Sequence, residues 1–270
     1  MYEKHFGFRE LPFNITPDPK YIYYSESHRR VLDHMVYGIE HRKGFVVLIG
    51  EVGCGKSMTC RALLRRLSDR TRTAYILNPL VSGTQLLRSI LDDLGLHPDG
   101  RDRLSLIGQL NAFLLDQTKV GNNVAVIIDE AQDLPPEVLE QIRLLSNLET
   151  DQHKLLQIIL VGQPELETRL NSHEFRQLRQ RILVRCRLRP LTEDETREYV
   201  RHRLTVAGGG EALLASVDEA APRIHAYAQG IPRLINNLCD SALLVAYVTG
   251  TGALGVREVE AALAEVEAGG

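Results

Sequence analysis

The chain has 270 residues, of which 44% are hydrophobic and 25% are charged, and its formal net charge is −3. These proportions are typical of a globular protein of one or two domains and exclude a disordered, collagen-like or coiled-coil chain. The small negative charge gives no general attraction to nucleic acid or anionic membranes. No apolar run approaches the ~20 residues of a membrane-spanning helix. The amino terminus lacks the pattern of a secretory signal, so we expect a cytoplasmic protein.

The first 25 residues are rich in aromatic residues and proline and have neither helical nor strand periodicity. We expect residues 1–25 to form an extended arm that packs on the core. A helix is predicted after Ser25, a suitable N-cap, because Val31, Met35 and Ile39 then share one face.

Apolar strands then alternate with helices along the chain. The predicted strands are Phe45–Ile49, Thr73–Leu77, Val124–Asp129, Leu155–Gly162 and Ile182–Leu188. The predicted helices are Ser57–Leu67, Ser82–Leu94 with a capping box, Arg103–Val120 and Pro135–Leu148, followed by short helices through Arg179. Because most of these strands are apolar without alternation, we expect a doubly wound α/β fold with a parallel five-stranded sheet covered on both faces.

The pattern changes after Pro190, where the chain becomes helical to its end. Thr192 and Glu195 form a second predicted capping box. The last predicted helix has one apolar face, which consists of Val256, Val259, Leu263 and Val266. We therefore assign residues 26–190 to an α/β domain and residues 191–270 to a small all-helical lid domain.

The four cysteines carry no metal or disulfide pattern. They are scattered without a CxxC pair or a matching histidine cluster, at Cys54, Cys60, Cys186 and Cys239. We expect reduced thiols and no zinc site.

Residues 50–57, GEVGCGKS, match the pattern GxxxxGK[ST] in full, between an apolar strand and a helix. Backbone N–H groups of such a loop surround phosphate oxygens, so glycine is needed where a Cβ would block the approach or forbid positive φ. We predict that Lys56 binds the β- and γ-phosphates of ATP and that the Ser57 hydroxyl is a ligand of Mg²⁺. The predicted nucleotide-binding residues here are Gly50, Glu51, Val52, Gly53, Cys54, Gly55, Lys56, Ser57 and Met58.

A later predicted strand ends in two adjacent carboxylates, Asp129 and Glu130. Ligands of parallel α/β sheets bind beyond the carboxyl ends of the strands, so a strand adjacent to the phosphate loop would bring both groups to the site. We predict that Asp129 serves the Mg²⁺ ion and that Glu130 orients or deprotonates the attacking water. The alternative is an N-cap for the helix that follows.

Several segments resemble those of AAA+ ATPases and occur in the same order. They are GEVGCGKS, IIDEAQ (127–132), IILVGQPEL (158–166), LRQRI (178–182) and GIPRLINNLCDSALL (230–244). Nearly the whole chain, from Tyr2 to about Val266, further resembles the ATPase domain of the general secretion pathway protein A (ExeA-type) family. The segments that carry this likeness are MYEKHFGFRELPFNITPDPKYIYYS, LLSNLET and LLQIILVGQPEL.

The resemblance implies roles for residues outside the phosphate loop. Gln163 is in the position of a γ-phosphate sensor, where many relatives have Asn or Thr; the alternative is a structural turn. Arg233, in the motif GxPR, is in the position of a second sensor on the lid; the alternative is a solvated arginine at a helix boundary. Pro12 and Phe13 would pack on adenine, with residues around Ile15 closing the pocket. The alternative for these aromatics is to cap the edge of the core.

The segment 166–189 is unusually rich in arginine. The resemblance implies an arginine finger that stabilises the γ-phosphate in a neighbouring subunit. By position this finger is Arg181, with Arg179 and Arg176 as further candidates. The same arginines are also compatible with a DNA-binding surface or with a solvated basic face.

The resemblance finally implies an oligomerising, Mg²⁺-dependent ATPase, with a hexameric ring as one candidate assembly. Its expected work is the assembly or remodelling of a partner at the inner membrane, in type II secretion the assembly of a secretin pore. The chain is then either the cytoplasmic domain of a longer inner-membrane protein or a stand-alone relative. The alternative function is that of a DNA-associated AAA+ regulator of the transposition or replication-loading type. A nucleotide-gated scaffold without turnover is disfavoured by Glu130 and Gln163.

Overall fold

The structure is a computed structural model, which describes residues 1–14, 18–77, 81–100 and 102–268. Ile15 and the side chain of Val266 lie outside the described residues. The chain divides into two compact units. One, here called the helical unit, comprises residues 1–25, 51–58 and 189–270. The other, here called the sheet unit, comprises residues 26–50 and 59–188.

Apart from α1, the strands and helices follow the chain order that the sequence predicts. The strands are β1 (Phe45–Gly50), β2 (Thr71–Ile76), β3 (Asn123–Ile128), β4 (Gln157–Gly162) and β5 (Ile182–Leu188). The helices up to β5 are α1 (Tyr2–Phe6), α2 (Glu26–Glu40), α3 (Lys56–Arg66), α4 (Gly83–Asp93), α5 (Arg103–Lys119), α6 (Pro136–Leu145), α7 (Pro164–Asn171) and α8 (Arg176–Arg181). The helices after β5 are α9 (Glu193–Ala207), α10 (Glu211–Ala228), α11 (Pro232–Thr249) and α12 (Val256–Ala268).

The sheet unit contains one five-stranded sheet in the order β2-β3-β4-β1-β5, and every neighbouring pair is parallel. The α/β fold with a five-stranded parallel sheet is therefore confirmed. One detail of the prediction is wrong: the acidic strand β3 is not adjacent to β1, because β4 lies between them. The sequence predicts which segments are strands but contains no local signal for their lateral order.

Burial differs between the middle and the edges of the sheet. Every residue of β1, β3 and β4 is buried, so both faces of these strands are covered. The edge strand β5 alternates instead and exposes Leu183, Arg185 and Arg187. The core of the unit therefore lies on the three central strands, whose carboxyl ends share one edge.

Two predicted element boundaries shift because of a turn before β4. Glu149 and Lys154 form an antiparallel bridge, and the Leu155 N–H donates to the Leu148 carbonyl at 3.0 Å. This turn ends α6 at Leu145 and delays β4 until Gln157, although Leu155 is already buried. Apolar character alone had predicted a longer helix and a longer strand.

The helical unit is built from α9 to α12 and from the amino-terminal arm. The sequence predicts an extended arm, and this prediction is wrong for Tyr2–Phe6, which form a helix. The helix ends at Gly7, which has a left-handed conformation (φ 70°). Tyr2, Phe8 and Phe13 are buried in the same apolar cluster as residues of α9 to α11. The Tyr2 hydroxyl also donates to Asp240 on α11. Aromatic side chains of the arm that are spaced without periodicity are therefore buried together in the core of the helical unit.

Arg203 of α9 binds the arm from within the helical unit. Its side chain is only 6% exposed. Nε donates to the Pro12 carbonyl at 2.6 Å and Nη2 to the Asn14 carbonyl at 3.2 Å. Nη1 donates to the Tyr199 hydroxyl at 2.9 Å, which in turn donates to Oδ1 of Asn236 at 2.8 Å. We call Arg203, Tyr199, Asn236 and the two arm carbonyls the arginine cluster.

Candidate nucleotide-binding site

The phosphate loop continues directly from the carboxyl end of β1 and leads into α3. Gly53 and Gly55 have φ of 80° and 97°, in the left-handed region that favours glycine. A Cβ on Gly53 would lie 2.7 Å from the Cβ of Arg233 and 3.1 Å from the Ile231 side chain. Glycine at position 53 is therefore required by both its backbone conformation and its surroundings.

Lys56 and Cys54 are buried parts of this loop. The Lys56 side chain is 6% exposed, and its Nζ donates to the Glu51 carbonyl at 3.2 Å. Burial raises the pKa of the Cys54 thiol, with Lys56 acting in the opposite direction. A thiol with a raised pKa stays neutral, and neutral thiols are weakly reactive. We therefore expect Cys54 to contribute to phosphate binding through its backbone and not through its side chain.

Arg233 lies beside the phosphate loop within the helical unit. It is in the first turn of α11, which begins at Pro232, and its backbone N–H donates to the Gly53 carbonyl at 3.3 Å. Its side chain is exposed. The structure therefore brings the predicted second sensor and the loop together, and its contact with phosphate stays a prediction.

Asp129 and Glu130 follow β3 in the sheet unit. Asp129 is 2% exposed, and both of its carboxylate oxygens accept hydrogen bonds. The Tyr75 hydroxyl donates to Oδ2 at 2.9 Å, and the Glu130 N–H donates to Oδ1 at 3.0 Å. Tyr75 was not predicted as part of the site. Its place follows from the pairing of β2 with β3, where Tyr75 is in register with Ile127.

The Glu130 carboxylate is held by two side-chain amides. Its oxygen Oε2 accepts from Nε2 of Gln132 at 2.8 Å and from Nε2 of Gln163 at 3.2 Å. Oε1 of Gln132 in turn accepts from the backbone N–H of Gln163 at 3.1 Å. The Glu130 backbone is left-handed (φ 51°), an uncommon conformation for a residue with a side chain. We call Glu130, Gln132 and Gln163 the carboxylate cluster.

Gln132 and Gln163 meet because β3 and β4 are neighbours. The sequence analysis predicts Gln163 as a site residue but predicts no role for Gln132, which is the last residue of the motif IIDEAQ. A Cβ on Gly162 would lie 2.9 Å from Oε1 of Gln132, so the glycine makes room for this amide. The Arg169 guanidinium donates to the Gln132 carbonyl and lies 5.8 Å from the centre of the Phe175 ring. The one sequence feature that includes Gln132 is the motif IIDEAQ, in which it follows Glu130 by two residues.

The arginines of residues 166–189 differ in their contacts. Arg181 donates from Nη1 to the Ser146 hydroxyl at 2.8 Å, and Arg179 donates to the Asn171 carbonyl at 3.2 Å. Arg176 is exposed. The structure thus describes the three finger candidates within one chain and leaves their role in an assembly a prediction.

The predicted adenine-binding residues lie at the arginine cluster. Phe13 is 2% exposed, and its ring centre is 5.8 Å from the Arg203 guanidinium. The Pro12 carbonyl accepts from the same guanidinium. These contacts are those of the alternative interpretation, in which the arm caps a core, and adenine binding stays a prediction.

The described residues were also compared with the requirements of metal sites, disulfides and membrane-spanning helices. Its His, Cys, Asp and Glu side chains form no group of three or more that could hold a metal ion. All four cysteines are buried, and none forms a disulfide. None of the helices that the structure describes is long and apolar enough to cross a membrane.

A comparison with known families finds a match that covers β1 to β4 and the phosphate loop. Residues 39–170 match the family described as "AAA domain". This part of the chain is thus similar to an AAA domain. It is also 45% identical over 267 residues to General secretion pathway protein A of Aeromonas hydrophila, across 98% of this chain and 48% of that protein. The chain therefore spans about half the length of this curated relative.

Solved structures agree with the AAA fold. The ADP form of the Aeropyrum pernix ORC2 protein has a TM-score of 0.71 at 16% identity. The match covers 96% of this chain and 73% of the ORC2 chain. The Aeropyrum pernix ORC1 protein in complex with DNA has a TM-score of 0.70 at 18% identity, covering 96% and 70%. The Walker-type ATPase PABY2304 of Pyrococcus abyssi has a TM-score of 0.65 at 16% identity, covering 96% and 77%. At these identities the likeness concerns the fold alone.

Proposed function

We propose that this chain is a Mg²⁺-dependent ATPase that hydrolyses ATP to ADP and phosphate. One observation carries the proposal: a complete phosphate loop continues from β1, whose carboxyl end lies at the same sheet edge as Asp129 and Glu130. Parallel α/β sheets bind ligands at this edge. A phosphate loop alone accounts for binding, and the two carboxylates add what hydrolysis needs.

Binding of the phosphates is assigned to residues 50–58. The left-handed glycines present backbone N–H groups, the α3 amino terminus contributes positive partial charge, and Lys56 neutralises the β- and γ-phosphates. Arg233 and Gln163 sense the γ-phosphate, and Pro12 with Phe13 contacts adenine.

Mg²⁺ suits the oxygen donors at hand. The Ser57 hydroxyl and the Asp129 carboxylate are hard ligands of the kind that Mg²⁺ prefers. When bound, the ion neutralises phosphate charge that develops during the reaction. The hydrogen bond from Tyr75 orients the Asp129 carboxylate for this role.

Glu130 is the general base of the proposed reaction. Its carboxylate orients the attacking water and accepts its proton, which is the step that separates hydrolysis from nucleotide binding. Two amide donors already fix one oxygen of this carboxylate, so its orientation is set before the nucleotide arrives.

We further propose that the ATPase acts as a homo-oligomer, for example a hexameric ring, on the cytoplasmic side of the inner membrane. An arginine finger from a neighbouring subunit completes the site; Arg181 is the first candidate by position, and Arg176 and Arg179 are the others. The identity to General secretion pathway protein A supports a role in type II secretion, through assembly of a secretin with an inner-membrane partner.

The rate of ATP hydrolysis as a function of protein concentration tests this proposal, with particle mass followed by light scattering. Activity per chain that rises as oligomers form, with or without duplex DNA, supports the assembly ATPase. Lys56→Ala is expected to abolish nucleotide binding, and tight ATP binding by this variant would refute the phosphate-loop assignment. In a mixture, Arg181→Ala and Lys56→Ala chains are expected to restore activity at shared interfaces.

The arginine-rich segment also supports a second candidate, a DNA-associated regulator of the transposition or replication-loading type. Exposed Arg176 and Arg185 are available for phosphate contacts. Hydrolysis stimulated only by DNA, and salt-sensitive DNA binding lost when Arg176, Arg179 and Arg185 are replaced, would favour this candidate. DNA-independent hydrolysis would exclude it.

A further inference from the structure

We propose that Gln132 is a positioning residue that fixes the Glu130 carboxylate relative to the end of β4. This inference rests on the proposed ATPase function and deepens it. Its basis is the carboxylate cluster, in which one side-chain amide contacts both the predicted base and the backbone of the predicted γ-phosphate sensor.

The orientation of the Gln132 amide follows from its partners. The backbone N–H of Gln163 is a donor, so the atom 3.1 Å from it must be the amide oxygen of Gln132. The amide nitrogen then faces Oε2 of Glu130 at 2.8 Å and Oδ2 of Asp133 at 3.2 Å. An amide flip would place two acceptors against each other at Glu130 and two donors against each other at Gln163. The hydrogen-bond pattern therefore admits one orientation.

The backbone around Gln132 is also held in place. Residues Ala131–Asp133 form a 3₁₀ turn, and Arg169 of α7 donates to the Gln132 carbonyl. Gly162 at the end of β4 leaves the space that the Gln132 amide occupies. Three elements, the turn after β3, the end of β4 and α7, thus converge on this residue.

A general base works only when its lone pair points at the proton it accepts, and a misplacement of about 1 Å can cost about 10²-fold in rate. The Glu130 side chain starts from a left-handed backbone at the end of a strand, and Gln132 determines where one of its oxygens lies. Because Gln163 donates to the same oxygen, Gln132 also keeps the base and the sensor in register.

The variant Gln132→Glu removes the donor and adds a negative charge next to Glu130. It preserves the shape and retains an oxygen that accepts the Gln163 N–H, but it replaces the donor to Glu130 by an acceptor. We expect kcat to fall by about 10- to 100-fold, with ATP affinity changed less than about twofold because the phosphate loop is untouched.

Gln109→Glu is the matched control. Gln109 is also partly buried, accepts a backbone N–H through Oε1, from Asp99 at 3.0 Å, and donates through Nε2, to the Ser105 hydroxyl at 3.3 Å. It lies on α5, and none of its hydrogen bonds given above involves Glu130, Gln132 or Gln163. We expect this variant to retain the wild-type kcat.

A double-mutant cycle separates positioning from a merely structural effect. If Gln132 acts through Glu130, then Gln132→Glu has no further effect on single-turnover hydrolysis in a Glu130→Gln background. Hydrogen exchange supplies a readout without activity. The Gln163 N–H should stay protected in Gln132→Glu, which keeps the acceptor, and lose protection at least tenfold in Gln132→Met, which lacks it.

Each outcome has a distinct meaning. An active wild type, an inactive Glu130→Gln and a fully active Gln132→Glu would overturn the positioning role and leave the ATPase intact. A loss of ATP affinity, or an equal further loss of kcat in the Glu130→Gln background, would also overturn it. A wild type that binds ATP without hydrolysing it would overturn the proposed function together with this inference.

Discussion

The arginine cluster and the carboxylate cluster are both polar networks, but they differ in what surrounds them. Arg203 is 6% exposed and is enclosed by carbonyls, a hydroxyl and the ring of Tyr21 at 4.7 Å. Glu130 is partly exposed and is held by amides at the open edge of a sheet. A buried charge is tolerated only when its donors are satisfied. An accessible charge with fixed orientation can do chemistry. We therefore infer a structural role for the arginine cluster and a catalytic role for the carboxylate cluster.

The difference extends to the kind of partner. The Arg203 guanidinium donates to backbone carbonyls of the arm and lies over the Tyr21 ring. These partners tie residues 12–14 to α9 within the helical unit. In the carboxylate cluster, the partners are side chains and a backbone N–H at two strand ends. Loss of the first cluster should therefore change stability, and loss of the second should change rate.

The largest expected effect is on rate. Glu130→Gln removes the proposed base while keeping the side-chain shape, so kcat should fall by about 10²- to 10⁴-fold with ATP still bound. Steady-state hydrolysis and nucleotide-binding assays measure the two quantities. Glu137→Gln, a change at an exposed residue of α6, is the control and should leave both unchanged. Undiminished hydrolysis by Glu130→Gln would remove Glu130 from its role.

The next effect is on stability. Arg203→Met leaves two arm carbonyls and the Tyr199 hydroxyl without their donor, which should destabilise the helical unit by about 2–4 kcal/mol. Native-state hydrogen exchange of α9 and α11 amides measures this free energy. Arg201→Met is the matched control, since Arg201 lies on the same helix and pairs with Asp218 at the surface, and it should cost less than about 1 kcal/mol. An equal loss of unfolding free energy in both variants would show that the Arg203 hydrogen bonds do not contribute more to stability than a surface ion pair does.

A smaller change tests the middle of the arginine cluster. Tyr199→Phe removes a buried hydroxyl that accepts from Arg203 and donates to Asn236, so we expect a loss of about 1–2 kcal/mol. Tyr23→Phe removes an exposed hydrogen bond to Glu198 and should cost well under half as much. A Tyr199→Phe chain as stable as Tyr23→Phe would show that the cluster is not coupled through this hydroxyl.

Local sequence patterns predicted the elements of both units better than their long-range contacts. The phosphate loop, both capping boxes and β5 follow from short motifs and apolar runs, because neighbouring residues decide them. The lateral order of the strands, and with it the places of Tyr75 and Gln132, depends on pairings across the sheet. Arg203 was missed for the same reason, since its partners Pro12 and Asn14 lie about 190 residues away in the sequence.

The smallest expected effect is a pH dependence of the helical unit at His202. Burial lowers the pKa of this imidazole below its ordinary value of 6.5, and the Arg203 charge adds to this, while a hydrogen bond to the Ile22 backbone opposes it. Its Nε2 is buried without a hydrogen-bond partner among the described residues, and the Tyr23 ring lies 6.0 Å from the imidazole. Protonation would therefore place an unpartnered N–H and a second positive charge beside Arg203.

The sign of the effect follows from proton linkage. Because the folded chain has the lower pKa, the unfolded chain binds more protons as the pH falls below about 6.5. The contribution of neutral His202 to stability is thus complete above this pH and is lost as the pH falls through the folded pKa. Hydrogen exchange of α9 at pH 7 and pH 5.5 should show a smaller loss of stability in His202→Gln than in the wild type. His153→Gln, at an exposed position in the sheet unit, should leave the loss unchanged. A wild-type loss that persists in full in His202→Gln would assign the pH dependence to other groups and leave the arginine cluster insensitive to pH.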